Sequence, residues 1–533
     1  MSMLHSPRVA TAAVLLALAA SAAGCMVGPD YRVPPAPLAE QWLVTDAPRV
    51  DTAGRAPDQW WSVFGDPALD ALVEAAYQQN LTLRAAGLRV IAAQARRGIA
   101  IGELFPQTQD VNAGYVRTWS SKNQPLLLGG PDFNTFRVGF DAAWEIDLWG
   151  RFRRGIEASD AELLASVADY DDVLVSLVAE VGVTYVQLRV IEELLALAHE
   201  NARLQRNSLE IARIRYEAGG TSDLDVQQAT TLLEDTEADI PALEIQLRQT
   251  LDSLSVLLGM PPSNLTETLA QSTGIPAPPP NVAVGIPAEL LRRRPDIRRA
   301  ERQVAAQSAR IGVATADLLP RFQLVGNVGL TAERAADLFT GRSFGGIAGP
   351  EVDWPVFNYG RIINAVRVED ATFQELAAHY ADTVLGAQRD VEDAVIGYVR
   401  GVDEVAHLER SVEAANRAAE LSLIQYTGGA ADYTRVLTAD QAKITADRRL
   451  TDRRGAVTAS VIALYKALGG GWEMRGGNDF VPTATKREME ARTWWDSMLS
   501  EHTEAKDIHA AATDTATDTG PGFLRWRRWW PQW

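Results

Sequence analysis

The feature that most constrains this chain is an internal repeat of about 210 residues. An offset of 210 pairs Trp144 with Trp354 and Arg151 with Arg361, and the matches continue to Gly259 and Gly469. Upstream, from Arg84 to Pro106, the matching offset is 214. A constant offset over more than a hundred residues indicates a duplicated structural unit. The 533 residues are therefore not expected to form three or four unrelated domains.

A proline-rich stretch, IPAPPP at 275–280, joins the two copies as a stiff linker. The sequence predicts six segments along the chain. They are a signal peptide (1–24), an N-terminal segment (25–65), a first repeat (66–274), the linker (275–287), a second repeat (288–472) and a C-terminal extension (473–533).

Long stretches without proline, rich in Ala, Leu, Glu and Arg, lie between Pro131 and Pro241 and between Pro355 and Pro482. Apolar residues recur there every three or four positions, which is the helical period. Residues 151–216 therefore predict one helix about 100 Å long, and 361–426 repeat it. Such lengths require coiled-coil-like packing. Shorter helices are predicted at 69–104, 224–258, 288–319 and 433–468.

Segments with period-two alternation lie between the helices, at 136–146 and 322–330. Neighbouring strands are predicted at 111–119 and 344–354, so each repeat contains one hairpin. Taken alone, this alternation favours a half-buried soluble sheet over a transmembrane barrel, and the lipobox described below reverses that preference. Four strands cannot close a barrel, and open edges are not viable in lipid. A membrane-spanning sheet would need several copies, and three copies would supply twelve strands.

The N-terminus predicts export. Residues 9–23 form an apolar run typical of a signal peptide, and the sequence AAGC at 22–25 resembles a bacterial lipobox. Cys25 is then the predicted lipidation site, and Met26 after it, rather than Asp, favours the outer membrane. The alternative is a buried N-terminal helix with an incidental cysteine.

Composition excludes several functional classes. The chain has 69 acidic and 51 basic residues, a net charge of −18, which disfavours nucleic acid as a partner. A single cysteine excludes an internal disulfide and a cysteine-based zinc site. The six histidines are scattered, and no dinucleotide, P-loop or nucleophile-elbow motif occurs. We therefore predict no catalytic residue, no metal and no cofactor.

Several motifs resemble those of a known family. They are CMVGPDY at 25–31, WEIDLWGR at 144–151, VGVTYVQLR at 181–189, RPDI at 294–297 and LYKALGGGW at 464–472. Together they resemble the outer-membrane efflux lipoproteins, which are similar to TolC and include OprM-type and NodT-type channels. The resemblance covers residues 25–472.

The resemblance implies a mainly α fold with a small β part. It implies a homotrimer whose twelve strands form a barrel in the outer-membrane lipid, above a long α-helical barrel that crosses the periplasm. A periplasmic adaptor protein and an inner-membrane RND transporter would complete an efflux pump, and the channel would perform no covalent chemistry. Two alternatives remain, a type I protein-secretion duct and a coiled-coil structural lipoprotein of the envelope.

Glycine pairs mark two turns between helices, Gly219–Gly220 and Gly428–Gly429. Glycine supplies the positive φ of a tight turn, and Ser222 or Asp223 can cap the next helix. From their own residues alone, these segments are predicted to be simple turns between helices. The resemblance implies that they form the periplasmic tips, which close like an iris and meet the adaptor.

In related channels the tip of the second repeat narrows the pore with rings of aspartate and leucine. Here those positions fall on Thr438 and Thr434, so the gate departs from the family pattern. Nearby acids are Asp432, Asp440, Asp223 and Asp225. We hypothesise that tip packing and a contact between Arg435 and an aspartate hold the gate closed. A solvated charged surface is the alternative.

The C-terminal extension continues past the usual end of the family. Residues 510–520 are of low complexity, and residues 523–533 mix Trp with Arg. That composition suits an anionic membrane interface or, equally, a flexible tail or a peptide that binds a partner.

Overall fold

A computed structural model describes residues 26–43, 49–52, 54, 57–119 and 132–492. The predicted signal peptide, the lipidation site Cys25, the first hairpin loop from 120 to 131 and the Trp/Arg-rich end lie outside the described residues.

The described chain is mainly helical, and its regular elements follow one another in two similar series. The helices are α1 (Pro67–Gln79), α2 (Leu81–Gly102), α3 (Arg151–Glu217), α4 (Asp223–Leu257), α5 (Thr266–Leu269), α6 (Leu290–Arg293), α7 (Pro295–Ala316), α8 (Arg361–Thr427), α9 (Tyr433–Ala467) and α10 (Thr483–Arg492). The strands are β1 (Val50–Asp51), β2 (Thr108–Trp119), β3 (Asp132–Ile146), β4 (Val282–Ala283), β5 (Arg321–Ala332) and β6 (Phe344–Asp353).

The two long helices predicted from the sequence are confirmed. Helices α3 and α8 have 67 residues each, and α4 and α9 have 35 each. The equivalent ends differ by the offset of 210 seen in the sequence, as Arg151 and Arg361 show. Among the described residues, α3 holds the one helical stretch apolar enough to cross a membrane, with a mean hydropathy of 1.6, and 67% of that stretch is buried in the chain. It therefore serves as a core helix.

Two of the shorter helices are broken where one continuous helix was predicted. The break in 69–104 is at Asn80, whose side chain accepts a hydrogen bond from the Leu83 amide (2.8 Å) and donates one to the Leu257 carbonyl (2.8 Å). The break in 288–319 is at Arg294, because Pro295 disfavours helical backbone in the residue before it. The guanidinium of Arg294 donates to the Ala467 carbonyl (3.0 Å). The side chains at the two breaks therefore cap the C-termini of α4 and α9.

The long strands form one antiparallel sheet in the order β2-β3-β5-β6. The register places Phe140 opposite Val111 and Val328, which makes one face apolar. On the other face Asp141 lies opposite Asp110 and accepts hydrogen bonds from Asn112 and Arg137. The predicted hairpins and their alternation are confirmed. The outer edges of β2 and β6 have no strand partner within the described chain.

The chain divides into two compact units. The first contains the described residues within 26–35, 90–166 and 299–380, with the four-stranded sheet. The second contains those within 36–89, 167–298 and 381–492, with the hairpin turns. In the first unit, the segment after residue 25 is held against the start of α3. The Val27 amide donates to the Trp149 carbonyl (3.0 Å), and the buried Arg154 guanidinium donates to Val27 (3.2 Å) and to the Asp30 carboxylate (2.8 Å).

Close backbone approach fixes this segment further. Gly28 has a φ of +90°, and a Cβ atom there would lie 2.3 Å from the Cα of Gly312. No other residue fits without moving the backbone.

The second unit contains a buried ion pair. The Asp171 carboxylate on α3 accepts from the Arg475 guanidinium (3.2 Å), and their side chains are 0% and 2% exposed. Arg298 lies 3.6 Å from the same carboxylate. A buried pair adds little net stability, but removing one partner leaves an uncompensated charge.

We expect Asp171→Ala to lower the free energy of unfolding by about 3–5 kcal/mol, because Arg475 would remain buried without its carboxylate. Asp169→Ala is the matched control, since Asp169 pairs with the exposed Arg89 (3.0 Å) and should cost at most about 1 kcal/mol. Denaturant titration in detergent, followed by circular dichroism, measures both. Equal losses in the two variants would contradict the prediction.

Candidate functional site

Two helix-hairpin turns end α3 and α8, and each is closed by one glycine in the left-handed region. Gly219 has a φ of +71° and Gly429 a φ of +74°. Their amides donate to the carbonyls of Tyr216 (2.9 Å) and Tyr426 (3.0 Å). Gly220 and Gly428 lie beside them without a positive φ. One glycine of each pair is therefore required by the backbone.

The caps of the following helices differ from the prediction. Ser222 occupies the N-cap position of α4, but its side chain makes no capping hydrogen bond, and Asp223 is already within the helix. The Thr221 hydroxyl instead donates to the carboxylate of Asp225, which is buried. In the second repeat Asp432 caps α9 by accepting from the Arg435 amide (3.3 Å).

An apolar cluster packs the two hairpins together. Its centre is formed by Tyr426 and Tyr433, whose buried rings meet edge to face with centroids 5.3 Å apart. Burial raises the pKa of Tyr433, and its hydroxyl finds no hydrogen-bond partner among the described residues. The cluster draws residues from both repeats, including Leu209, Val226, Leu233 and Val436.

Arg215 joins the two turns, and sequence analysis missed it. From the end of α3 its guanidinium donates to the carbonyls of Tyr426 and Thr427 (3.3 Å) at the C-terminus of α8 and to Gly220 (3.3 Å). It also lies 4.6 Å from the ring centroid of Tyr426. A cation is favoured at a helix C-terminus. The only indication in the sequence was a difference between the two repeats: the residue of the second repeat that aligns with Arg215 is Gln425.

Within the described chain, Arg435 does not make the side-chain contact that was predicted. Its guanidinium donates to the Gln425 side chain (3.1 Å), and in the described chain its bond to Asp432 is made by the backbone amide. Thr434 and Thr438 are exposed, and the Thr438 hydroxyl donates to the Thr434 carbonyl (2.9 Å) on their own helix. Within this chain the Arg435 guanidinium therefore bonds Gln425, and its contact with an aspartate side chain in the gate stays a prediction.

Asp440 is the acid of this region with the most altered environment. Burial raises the pKa of its carboxyl to about 6, although Lys443 opposes part of that rise. Elsewhere in the described residues, no group of His, Cys, Asp and Glu is arranged to hold a metal ion.

The raised pKa of Asp440 predicts the direction in which the stability of the protein changes with pH. Because the ionised form of Asp440 is disfavoured in the fold, its contribution to stability is greatest at low pH and is lost as the pH rises through about 6. We expect Asp440→Asn to flatten the dependence of Tm on pH between about 4 and 7. Asp432→Asn is the control, since Asp432 is exposed and Asn also caps helices. An unchanged pH dependence in Asp440→Asn would refute the assignment.

Removing Arg215 should loosen the contact between the hairpins. A hydrogen bond from a charged group contributes about 1.5–3 kcal/mol, so Arg215→Ala should shift a closed-to-open equilibrium by about tenfold or more. Single-channel recording in planar bilayers would show this as a raised mean conductance.

Arg213→Ala provides the matched control, because Arg213 is exposed on the same helix. Arg435→Ala should have a smaller effect than Arg215→Ala, since it loses one bond to Gln425. Equal conductance of the Arg215→Ala and Arg213→Ala proteins would contradict the role of Arg215.

The sheet and the helices together define a class of protein. A sheet that is apolar on one face and polar on the other can separate lipid from water, and helices of about 100 Å are long enough to form the wall of a duct. This is the architecture of outer-membrane channels. The family model for outer membrane efflux proteins matches residues 72–260 and 286–470, one match in each repeat, and the chain belongs to this family.

Individual relatives agree. The chain is 33% identical over 433 residues to the pyoverdine export outer membrane protein OpmQ of Pseudomonas putida, covering 80% of this chain and 91% of OpmQ. It is 30% identical over 475 residues to nodulation protein T of Rhizobium leguminosarum bv. viciae, covering 88% and 94%. The solved structure of the outer-membrane channel OprN superposes with a TM-score of 0.78 at 34% identity, covering 84% of this chain and all of OprN.

The predicted family, TolC-like fold, outer-membrane location and efflux function are therefore confirmed. The protein is an efflux channel in the outer membrane of a Gram-negative bacterium.

Proposed function

We propose that the chain assembles as a homotrimer and forms the exit duct of a tripartite pump, with a periplasmic adaptor and an inner-membrane RND transporter. The observation that carries the proposal is a four-stranded amphipathic sheet with two open edges. Such a sheet cannot stand alone in lipid, and three copies provide twelve strands. The duct moves its cargo without covalent chemistry.

The cargo is a class of small molecules. OpmQ exports pyoverdine, and the chain covers most of that relative. The lipobox and the GGGW ending favour this cargo over a secreted protein. A purely structural lipoprotein would have no use for a sheet whose polar face can line an aqueous pore.

The hairpin turns act as the periplasmic gate. The Tyr426–Tyr433 cluster and the Arg215 contacts hold the two hairpins of one chain together. Opening separates them by breaking bonds to backbone carbonyls. Exposed Thr434 and Thr438 would make neutral rings there, while Asp432, Asp223 and Asp225 supply the nearby negative charge.

Cys25 carries the lipid anchor. The described segment that follows it is held by bonds from Val27 to Trp149 and Arg154. Two or more acyl chains would hold the N-terminus stably in the membrane.

Conductance and drug sensitivity test the proposal together. The purified protein should conduct ions in planar bilayers, and deleting its gene should raise drug sensitivity only in cells that contain the cognate pump. Cys25→Ser is the matched variant, expected to lose palmitate labelling and to retain conductance. A folded protein without conductance, or a deletion whose effect is the same without the pump, would refute the duct.

A further inference from the structure

The family match stops before the C-terminal extension, whose described part, residues 473–492, is built into the second unit. The Phe480 ring meets Tyr170 of α3 edge to face, with centroids 5.2 Å apart. The Cζ atom of Arg475 lies 4.9 Å from the centroid of the same ring. Phe480 and Val481 are both buried. Specific contacts therefore attach the extension to the chain.

Helix α2 approaches the extension closely at one glycine. A Cβ atom at Gly87 would collide with the Phe480 carbonyl, so a side chain there would displace the extension. A Cβ atom at Gly98 or Gly102 of the same helix would meet nothing within 4 Å in the described chain. The lack of a side chain at Gly87 therefore serves the docked extension.

The N-terminal segment is held at the equivalent place on the second repeat. Gly87 and Glu301 are related by the offset of 214, and Tyr170 and Tyr380 by the offset of 210. In the first unit the Tyr31 hydroxyl donates to the Glu301 carbonyl (3.4 Å) on α7. Burial raises the pKa of Tyr31, and Glu301 and Tyr380 add to that rise. The two terminal segments therefore dock on equivalent positions, one on each repeat.

The N-terminal segment shows the direction in which such a docked segment leads. Going back from Tyr31 to Gly28, it follows α7 towards β5 of the sheet. The same direction on α2 leads from Gly87 towards β2, over about 22 Å of helix. Residues 493–522 span at most about 100 Å when fully extended. Residues 523–533 can therefore reach the membrane surface at which the sheet begins.

Residues 523–533 have the composition of a membrane-interface segment. Four of them are Trp, three are Arg and none is acidic. Indole rings favour the boundary between headgroups and acyl chains, and guanidinium groups bind phosphate. Because the segment is tethered to a protein that is already in the membrane, its effective concentration there is high, and a modest affinity is sufficient.

A groove on another protein is the alternative partner, and Pro531 argues against it. Counted from Trp526, the four Trp residues have the i, i+3, i+4, i+7 spacing of a helix that docks in a groove. Pro531 lies inside that interval, removes one helical donor and disfavours helical backbone at Trp530. A lipid surface requires no such periodicity, so the sequence favours lipid.

We propose that residues 523–533 insert into the anionic phospholipid surface at the periplasmic face of the outer membrane and form a second anchor, separate from the lipid on Cys25. The docked part of the extension holds this anchor on the first repeat, as the N-terminal segment holds the proposed acyl anchor on the second. Attachment of this kind does not depend on the duct function.

Fluorescence quenching in vesicles tests the insertion. Full-length protein with Cys25→Ser and Gln532→Cys carries one thiol, which is labelled with an environment-sensitive fluorophore. The protein is reconstituted into vesicles of phosphatidylethanolamine and phosphatidylglycerol that contain a nitroxide-labelled lipid. The label should be quenched about twofold or more above a label at Thr515→Cys in the low-complexity stretch. Equal quenching at the two positions would overturn the proposal.

Side-chain variants identify the groups that insert. Replacing all four Trp residues of the segment with Ala should abolish the difference between the two label positions, and quenching that persists would contradict the anchor. Arg525→Gln/Arg527→Gln/Arg528→Gln should reduce quenching to the level of neutral phosphatidylcholine vesicles, because anionic headgroups no longer attract the segment. The matched control, Lys486→Gln/Arg487→Gln/Arg492→Gln in α10, removes the same charge and should leave quenching unchanged.

Two further arms separate the other partners of the segment. Nitroxide lipid placed only in added protein-free vesicles should leave the label unquenched, since quenching there would place the segment on a second membrane. A label that no lipid quenches would indicate a protein partner, and either result would overturn the proposal.

Conductance of each variant is recorded in parallel and should equal that of the parent. An unquenched label on a conducting protein overturns the anchor alone. A quenched label on a protein that does not conduct supports the anchor and contradicts the proposed duct.

Discussion

The hydrogen-bonding requirement of the backbone in lipid governs this molecule. Every amide and carbonyl in the hydrocarbon region needs a partner within the protein, so a spanning sheet has to close on itself. This chain supplies β2, β3, β5 and β6, and both outer edges are unpaired among its described residues. The proposed trimer would complete this sheet, and Trp354 and Val356 are exposed apolar residues that another copy could cover.

Duplication provides a template for that assembly and also shows where the two repeats have diverged. Asn80 and Arg294 occupy equivalent positions and cap equivalent helix ends at Leu257 and Ala467 with different chemistry. One cap is a neutral amide and the other a guanidinium that also bonds Asp296. The backbone requirement is shared, since the last carbonyls of any helix need donors, and the side chain that meets it has changed.

Periodicity was sufficient for the elements that are long and regular. The helices that begin at Arg151 and Arg361 were predicted to within a residue at their C-termini, and the strands were placed by alternation alone. The break at Asn80 was missed because the apolar pattern continues across it. Asn80 caps the next helix by accepting from the Leu83 amide and also donates to Leu257, a contact that no local pattern reports.

The contacts of the candidate site were less predictable because they too join residues that are far apart in the sequence. The glycine turns are local, so sequence located them correctly. The bond from Arg215 to Tyr426 joins residues 211 positions apart, and no local pattern reports such a contact. Within the described chain the Arg435 guanidinium donates to Gln425 across the hairpin, and a side-chain contact between Arg435 and an aspartate stays a prediction.

The chemistry of the Arg215 contact suits the proposed gate, which must both hold and release. Its acceptors are backbone carbonyls at the end of α8, which are present whatever the neighbouring side chains are. Each charge-assisted bond contributes about 1.5–3 kcal/mol, and the partly exposed guanidinium can exchange these acceptors for water. A partner that prefers the separated hairpins by a few kcal/mol is therefore sufficient to move the population from closed to open. Deeper burial would have made the contact stronger and the gate harder to open.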